Sequence, residues 1–207
     1  QSDIPGWKYI DIDIPPTQFV ADQYLKAVLG ERQVTGFNDI PNQQNIAISD
    51  LKNASVLCSW QIEQLQGEVD LFVNFISFQE MEPDVVANYL NQVDRLQSRW
   101  VLLRNMRQGK QIQKDGHVGV KTPIRSEDYV QMLPNYQLVA RNVHPFGYET
   151  VDRIIRSNRR SDPQAFGKCI HAPDVCMKQI DRLKRFATHF CIKVDATASQ
   201  TTMLQNV

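Results

Sequence analysis

The sequence predicts an α/β protein built on a doubly wound, mostly parallel β-sheet. Short strand-like segments, rich in β-branched and aromatic residues, alternate along the chain with segments whose apolar residues recur at helical spacing. The run VDLFVNFI, residues 69–76, is apolar almost without interruption, as expected of a parallel strand that is covered on both faces. It ends abruptly in a polar cluster, Ser77 to Glu80, which a helical pattern follows.

The first part of the chain contains four predicted strands, one long predicted helix and one short one. The strand WKYIDIDIP, residues 7–15, ends at prolines, which cannot donate to a β-ladder. A helix follows and ends at Gly30. Its apolar residues at helical spacing are Phe19, Val20, Tyr24, Leu25, Val28 and Leu29. RQVTGF (32–37) and ASVLCSW (54–60) are read as short strands, and residues 38–53 as a loop with one short helix. VDLFVNFI is predicted to lie centrally in the sheet.

The second part of the chain continues the alternation. A helix has Pro83 in its first turn, where the missing N–H costs nothing. Its predicted buried face contains Val85, Val86, Tyr89, Leu90, Val93 and Leu96. RWVLLRN (99–105) is predicted to lie beside VDLFVNFI, on the side away from the first strand. The remaining elements are a helix at 126–133 capped by Ser126, strands at 136–143 and 148–155, an amphipathic helix at 173–190 and a short strand at 190–198.

Length, charge and cysteine content limit the class of protein. The 207 residues, 42% hydrophobic, are enough for one sizeable core. The 23 basic and 23 acidic residues cancel, so no global field indicates nucleic acid or a membrane surface as partner. No apolar run is long enough to span a bilayer, and no signal-peptide pattern opens the chain. The four sparse, irregularly spaced cysteines favour reduced thiols and a cytoplasmic location.

Three predicted strands end in polar residues that could form a site. Asp13 closes the first strand, where an acid can accept the two hydroxyls of a ribose; a helix cap or a solvated carboxylate is the alternative. SFQEM, residues 77–81, follows the apolar run, and its alternative role is a turn whose acids favour the next helix dipole. Arg104 and Asn105 end the next strand, where a solvated arginine is the common arrangement.

The order of these segments resembles a known family. DLFVNFISFQEMEPDVVANYL, then WVLLRNMRQGKQ, then VGVKTPIRSEDYVQMLPNYQLVARNVHPFGYETVD resemble the putative sugar O-methyltransferases, and YIDIDIPPTQFVADQYLKAVLG also fits. That family is a branch of the class I S-adenosylmethionine-dependent methyltransferases. The resemblance implies a Rossmann-like methyltransferase domain over residues 1–156, and residues 157–207 are expected to form an extension packed on it. It also implies S-adenosylmethionine as cofactor and a small sugar or glycoside as acceptor, and it leaves association of copies open.

The resemblance assigns roles to individual residues. Those implied to bind the cofactor are Asp13 at the ribose, Ser59, Trp60 and Gln61 beside the adenine, and Asn74 and Ser77 under the methionine portion. Those implied to face the acceptor are Gln79, Arg104, Asn105 and Tyr148. An alcohol is a poor nucleophile while protonated, so a base is needed, and Glu80 and His144 are the candidates. Glu80 is preferred because its strand end faces the cofactor. A divalent ion on Glu80, Glu82 or Asp84 is the alternative.

The sequence departs from the family pattern at both ends. Class I methyltransferases begin the cofactor site with a strand and an acidic, glycine-rich loop, and only QSDIPG precedes Trp7. The absent strand is expected in mid-sheet, between YIDID and VDLFVNF, whose backbone groups would otherwise need partners. This predicts a fragment, a processed product or an unusual filling of the gap. The alternative function is a non-catalytic methyltransferase-like module that binds a partner.

The tail provides two weaker candidate sites. IRSNRRSDPQAFGK (155–168) could contact phosphate, although a solvated polar turn fits the pattern better because no aromatic residues are interleaved. Zinc favours cysteine and histidine, and the candidate ligands are Cys169, His171, Cys176, His189 and Cys191. Their spacing fits no common zinc finger, so the sequence predicts no metal site.

Overall fold

The computed structural model describes residues 7–40, 45–114, 118–143, 149–157 and 190–195. Its strands are β1 (Trp7–Asp13), β2 (Val34–Thr35), β3 (Ile46–Ala47), β4 (Ala54–Cys58), β5 (Leu65–Gln66), β6 (Leu71–Phe75), β7 (Trp100–Met106), β8 (Tyr136–Val143), β9 (Glu149–Arg156) and β10 (Phe190–Asp195). Its α-helices are α1 (Thr17–Leu29), α2 (Pro83–Arg95) and α3 (Ser126–Gln131). Two 3-10 turns concern the site: Ser59–Gln64, called the Ser59 turn, and Ser77–Glu80, called the Ser77 turn.

Eight of the described strands form one mixed sheet, in the order β2-β4-β1-β10-β6-β7-β9-β8. The pairs β2–β4, β4–β1 and β6–β7 are parallel, and the other four neighbouring pairs are antiparallel. The short strands β3 and β5, which the sequence did not predict, form a separate parallel pair. The α/β class with parallel strands is confirmed, as is the position of β7 beside β6 on the side away from β1. The predicted predominance of parallel pairing is wrong, because β9 and β10 run against their neighbours and make four of the seven pairs antiparallel.

Helices cover both faces of the sheet. Neighbouring residues of a strand point to opposite faces, so Tyr9 and Ile10 of β1 mark the two sides. Tyr9 packs in a small cluster with Leu25 of α1, and Ile10 belongs to the main core, which α2 and α3 cover. The larger cluster includes Phe72, Phe78, Leu90, Leu103 and Tyr129. The Pro83 start of α2 is confirmed, although Val85 is exposed and lies outside the buried face.

The buried face of α1 differs from the prediction. Phe19, Val20 and Val28 are 53%, 60% and 59% exposed, whereas Gln18 and Asp22 are buried beside Leu25. The physical reason is the close approach of the turn at Gly36, which helical periodicity does not report. The Asp22 carboxylate accepts a hydrogen bond from Lys26 Nζ at 3.0 Å. It also lies against Gly36, where an added Cβ would be only 2.4 Å from Asp22 Oδ1. The turn at Gly36 therefore draws the polar side of α1 inward.

The strand between β1 and β6 comes from the distal part of the chain. β10 pairs antiparallel with both neighbours, Ile10 opposite Ile192 and Asn74 opposite Phe190. It supplies hydrogen-bond partners to the facing backbone N–H and C=O groups of β1 and β6, which were expected to need partners at this position. β1 and β6, both antiparallel to β10, run parallel to each other. The short strand predicted from FCIKVDATA is confirmed, while most of the predicted helix at 173–190 lies outside the described residues.

Candidate functional site

The site predicted from the sequence lies along one edge of the sheet. β1, β4, β6 and β7 point the same way, so their carboxyl ends meet at that edge. Asp13, the Ser59 turn, the Ser77 turn and Asn105 follow or close these four strands. Ligands of α/β sheets bind outside the carboxyl ends of strands, where short connections present polar groups. Most of the residues singled out in the sequence therefore lie at this edge.

Asp13 is the last residue of β1 and is 4% exposed. Its Oδ1 accepts the backbone N–H of Ile14 at 2.7 Å, which fixes the carboxylate at the strand end. It lies near Tyr89 and Ser59, since the charge of Asp13 and a hydrogen bond with Ser59 both act on the Tyr89 hydroxyl. A fixed, buried carboxylate among hydroxyl groups is chemically suited to accept hydrogen bonds from a diol.

Two predicted site residues of the Ser59 turn differ in exposure: Trp60 is exposed, and Gln61 forms a hydrogen bond within the turn. Trp60 is 57% exposed, so its ring is available as an apolar surface. Gln61 is buried, and its Oε1 accepts the Cys58 N–H at 2.7 Å, which closes the turn at its start. Burial also raises the pKa of the Cys58 thiol, so this cysteine stays protonated at neutral pH.

Helix α2 holds the Ser59 turn in place. The Tyr89 and Ser59 hydroxyls hydrogen bond to each other, and burial raises the pKa of Tyr89. Asn88 Nδ2 donates to Glu63 at 3.0 Å, while Arg95 donates to the carbonyls of Leu65 at 2.7 Å and Ile62 at 2.9 Å. Sequence reasoning assigned Tyr89 only to the core, because an aromatic residue at an apolar helical position carries no signal of its hydroxyl contact.

The polar cluster after β6 is a buried network of amides. Asn74 is fully buried, and its Nδ2 donates to Ser77 Oγ at 2.5 Å. Its Oδ1 accepts the Phe78 N–H at 3.2 Å and Asn105 Nδ2 at 3.4 Å. These contacts turn the chain sharply at the strand end, which is why the apolar run stops there. The resemblance implied that the side chains of Asn74 and Ser77 would contact a cofactor. In the structure, the same polar groups form hydrogen bonds that shape the turn.

Gln79 joins the Ser77 turn to β7. Its Oε1 accepts the Met106 N–H at 2.7 Å, and its own N–H donates to Asn105 Oδ1 at 3.3 Å. Gln79 and Asn105 are 3% and 2% exposed, so both predicted acceptor-facing side chains lie inside the network. Arg104 pairs instead with Glu149, with 2.5 Å between Nε and Oε2.

Replacing Gln79 with leucine is expected to lower the free energy of unfolding by about 1–3 kcal/mol, because the Met106 N–H loses its acceptor at a half-buried position. Chemical denaturation followed by circular dichroism measures the change. Gln108→Leu, at an exposed position of the neighbouring loop, is the matched control and is expected to change stability by less than about 0.5 kcal/mol. Equal effects of the two variants would contradict the bridging role of Gln79.

Ile76, between β6 and the Ser77 turn, has a backbone conformation unusual for a β-branched residue. Its φ is 73° and its ψ is −31°, a conformation that costs of order 1–2 kcal/mol per residue. The Ile76 N–H donates to the Arg104 carbonyl at 2.7 Å, and the Asn74–Ser77 bond spans the residue. These bonds impose the strain, which directs a 39% exposed isoleucine outward at the carboxyl edge.

Glu80 is exposed at the end of the Ser77 turn and forms an ion pair with Lys110. Gly109 positions this lysine: its φ is +77°, and a Cβ there would lie 2.6 Å from the Ile124 carbonyl oxygen. The carboxylate of Glu82 accepts the backbone N–H groups of Lys121 at 2.8 Å and Thr122 at 3.1 Å. The two acids therefore fasten the loop that follows β7 to the turn that follows β6.

Several predicted site residues cannot be located in the structure. His144 and Tyr148 lie outside the described residues, as do the side chains of the cysteine and histidine set at positions 169–191. Within the described ranges, no three or more histidine, cysteine, aspartate or glutamate side chains form a group that could hold a metal ion. Glu80, Glu82 and Asp84 accordingly do not form such a group.

A cavity of 440 Å³ lies away from this edge. Its lining residues are Thr35, Asp39, Ile40, Asn45, Ile46, Ala47, Asp50, Leu51 and Gln66. None of the residues predicted for the site is among them. The cavity borders the β3–β5 pair, since Ile46, Ala47 and Gln66 belong to these strands.

Comparison with protein-family models, with curated proteins and with solved structures found no match for this chain. In the part of the chain that the structure describes, no helix has the length and apolar character needed to cross a bilayer.

Proposed function

We propose that this protein is an S-adenosylmethionine-dependent O-methyltransferase that acts on a hydroxyl group of a sugar or sugar-containing compound. The observation that carries the proposal is the pairing of two features at one edge of the sheet. Asp13 closes β1 as a buried, fixed carboxylate, and the Ser77 turn closes β6 with Glu80 exposed. The sequence resemblance assigns the first position to the cofactor and the second to the acceptor.

The arrangement of the strands supports a ligand site at this location. After β1 the chain forms β2 and β4, which both lie on one side of β1, and after β6 it forms β7 on the opposite side of the sheet. In open α/β sheets, ligands bind outside the carboxyl ends of strands at the point where the chain order reverses. Asp13 and the Ser77 turn flank that point. A Rossmann-like methyltransferase sheet is the fold that we infer from this arrangement.

The described residues fit the adenosine part of the cofactor. Asp13 is chemically suited to accept the ribose hydroxyls, and Ser59 beside it offers a further hydroxyl. Trp60 offers an exposed ring for the adenine, since aromatic faces stack on bases. Gln61, Asn74 and Ser77 act indirectly, because their polar groups hold the turns in shape. When bound, the cofactor supplies a methyl group that is already activated on a sulfonium.

The acceptor side requires alignment of a hydroxyl and removal of its proton. A positioned base contributes about 10²–10⁴-fold to the rate of such a step. Glu80 is the described acid that fits this role, because it is exposed at the strand end that the resemblance assigns to the acceptor. Its Oε2 accepts a hydrogen bond from Lys110 Nζ, which favours the ionised carboxylate. A sugar hydroxyl that enters beside this pair donates its proton to the Glu80 carboxylate while Lys110 remains close. Gln79 and Asn105 keep the turn that carries Glu80 fixed against β7.

Replacing Asp13 with alanine is expected to weaken binding of S-adenosylhomocysteine by about 1.5–3 kcal/mol, or roughly ten- to hundredfold in Kd, because charge-assisted hydrogen bonds to two hydroxyls are lost. Isothermal titration calorimetry measures the change. Asp50→Asn, which alters an exposed acid in the segment that Lys8 contacts at the start of β1, is the control and is expected to leave affinity unchanged. Wild-type affinity in a folded Asp13→Ala protein would remove Asp13 from the site.

A second candidate function is a non-catalytic α/β module that binds a partner. The observation that favours it is β10, which occupies the position between β1 and β6 in the antiparallel direction and pairs with β6 from Leu71 to Asn74. The same titration separates the two functions. Binding of S-adenosylhomocysteine supports the enzyme, whereas a folded wild-type protein without such binding supports the module.

A further inference from the structure

The loop that borders Glu80 has a strong excess of positive charge. Residues 106–125 contain the basic residues Arg107, Lys110, Lys114, Lys121 and Arg125 and one acid, Asp115. We call this segment the basic loop. The chain as a whole is balanced, with 23 basic and 23 acidic residues, so the excess is local. Concentrated charge of one sign beside a candidate site raises the local concentration of ligands of the opposite sign.

Most of these cations form no ion pair with the residues that the structure describes. Arg107, Lys121 and Arg125 are exposed, and among the described residues none of their side chains forms an ion pair. Lys110 is the exception, because Glu80 pairs with it. Glu82, the other acid of the turn, accepts backbone N–H groups rather than a side-chain cation. The positive charge of the basic loop is therefore only partly offset.

The described parts of the basic loop, residues 106–114 and 118–125, are fixed at the site by backbone contacts. Ser126 N–H donates to the Arg107 carbonyl at 3.1 Å, and Glu82 anchors Lys121 by its backbone. Gly109 packs against the Ile124 carbonyl so closely that no larger residue fits without movement. A backbone that is already fixed adds no ordering cost of its own when the side chains bind a ligand, which favours affinity.

We propose that the basic loop binds an anionic group, a phosphate or a carboxylate, on the sugar that the site accepts. The inference rests on the proposed function, because it assigns the acceptor end of that site to a charged sugar. Arg107 and Lys121 are the residues that hold the anion, and both flank the turn that carries Glu80. Lys110 remains with Glu80, so the reactive hydroxyl and the anionic group contact different residues.

The test is calorimetric titration of the whole chain with glucose 6-phosphate, glucuronate and glucose, each with S-adenosylhomocysteine present. We expect an anionic probe to bind at least about tenfold more tightly than glucose, and its Kd to rise between low and high salt. The variant with Arg107→Gln and Lys121→Gln is expected to lose this preference. Arg32→Gln, which removes an exposed charge from a turn on the far side of the sheet, is expected to retain it.

Each outcome distinguishes the possibilities. Preference for glucose 6-phosphate identifies phosphate, preference for glucuronate identifies carboxylate, and equal binding of both identifies any anion. Equal binding of glucose, no binding of either anionic probe, or an unchanged preference in the double variant would overturn the inference. Anionic sugar binding without binding of S-adenosylhomocysteine would refute methyl transfer and leave the anion site standing.

Discussion

Replacing Glu80 with glutamine is expected to lower turnover by about 10²-fold or more while affinity for the cofactor changes little. Glutamine keeps the shape of the side chain but cannot take a proton from a sugar hydroxyl. The contact with Lys110 weakens as well, and because Glu80 is exposed this costs less than about 1 kcal/mol of stability. The measurement is the rate of methyl transfer under saturating cofactor, with S-adenosylhomocysteine affinity determined on the same preparation.

Asp84→Asn provides the matched control for this experiment. Asp84 is an exposed acid in the first turn of α2, so the substitution makes the same change of charge and amide within a few residues of Glu80. Its expected effect is a loss of helix-dipole stabilisation of less than about 1 kcal/mol and near-normal turnover. If Glu80→Gln behaves like this control, Glu80 serves only the turn, and His144 becomes the candidate base.

Replacing Arg141 with leucine is expected to lower the free energy of unfolding by about 3 kcal/mol. Arg141 Nε donates to Asp152 Oδ1 at 2.7 Å, and its Nη2 donates to Asp152 Oδ2 at 2.9 Å. The hydrogen bond with Asp152 raises the pKa of Arg141. Asp152 is 1% exposed, so the variant leaves a buried carboxylate without its counter-charge. Denaturant unfolding at neutral pH measures the loss.

The pair can be tested further by removing both charges. Arg141→Met combined with Asp152→Leu is expected to be more stable than Arg141→Leu alone, because no unpaired charge remains inside the protein. A loss below about 1 kcal/mol in the single variant would show that water reaches Asp152. The pair also bears on the site, since Arg141 Nη2 donates to the Ser126 carbonyl at 2.9 Å, and the Ser126 N–H bonds to the basic loop at Arg107.

The local elements of the fold were predictable because their signals are local. Near-continuous apolar character predicts β6, and a proline followed by apolar residues at helical spacing predicts α2. Gly30, with a φ of 89°, ends α1 where the sequence indicated. The strand-end position of Asp13 was predictable for the same reason, since it depends only on the strand itself.

The orientation of the polar site residues could not be read from the sequence. Asn74, Gln79 and Asn105 are amides at strand ends, a position equally compatible with contact to a ligand and with burial. Burial became favourable because each amide finds partners on a neighbouring strand or turn, and an amide buried without partners is costly. That pairing depends on β6 and β7 lying side by side in register, with Asn74 opposite Leu103.

By itself, the sequence determined the α/β class, the order of the main strands and helices, and the strand ends where a site would lie. Tertiary structure alone decided that α1 buries Asp22, that Lys110 pairs with Glu80, and that β10 lies between β1 and β6. The physical reason is the separation along the chain over which each kind of interaction acts. Periodicity and turn residues act over a few positions, whereas an ion pair or a strand pairing joins residues far apart in the chain, and its free energy depends on which groups the fold brings together.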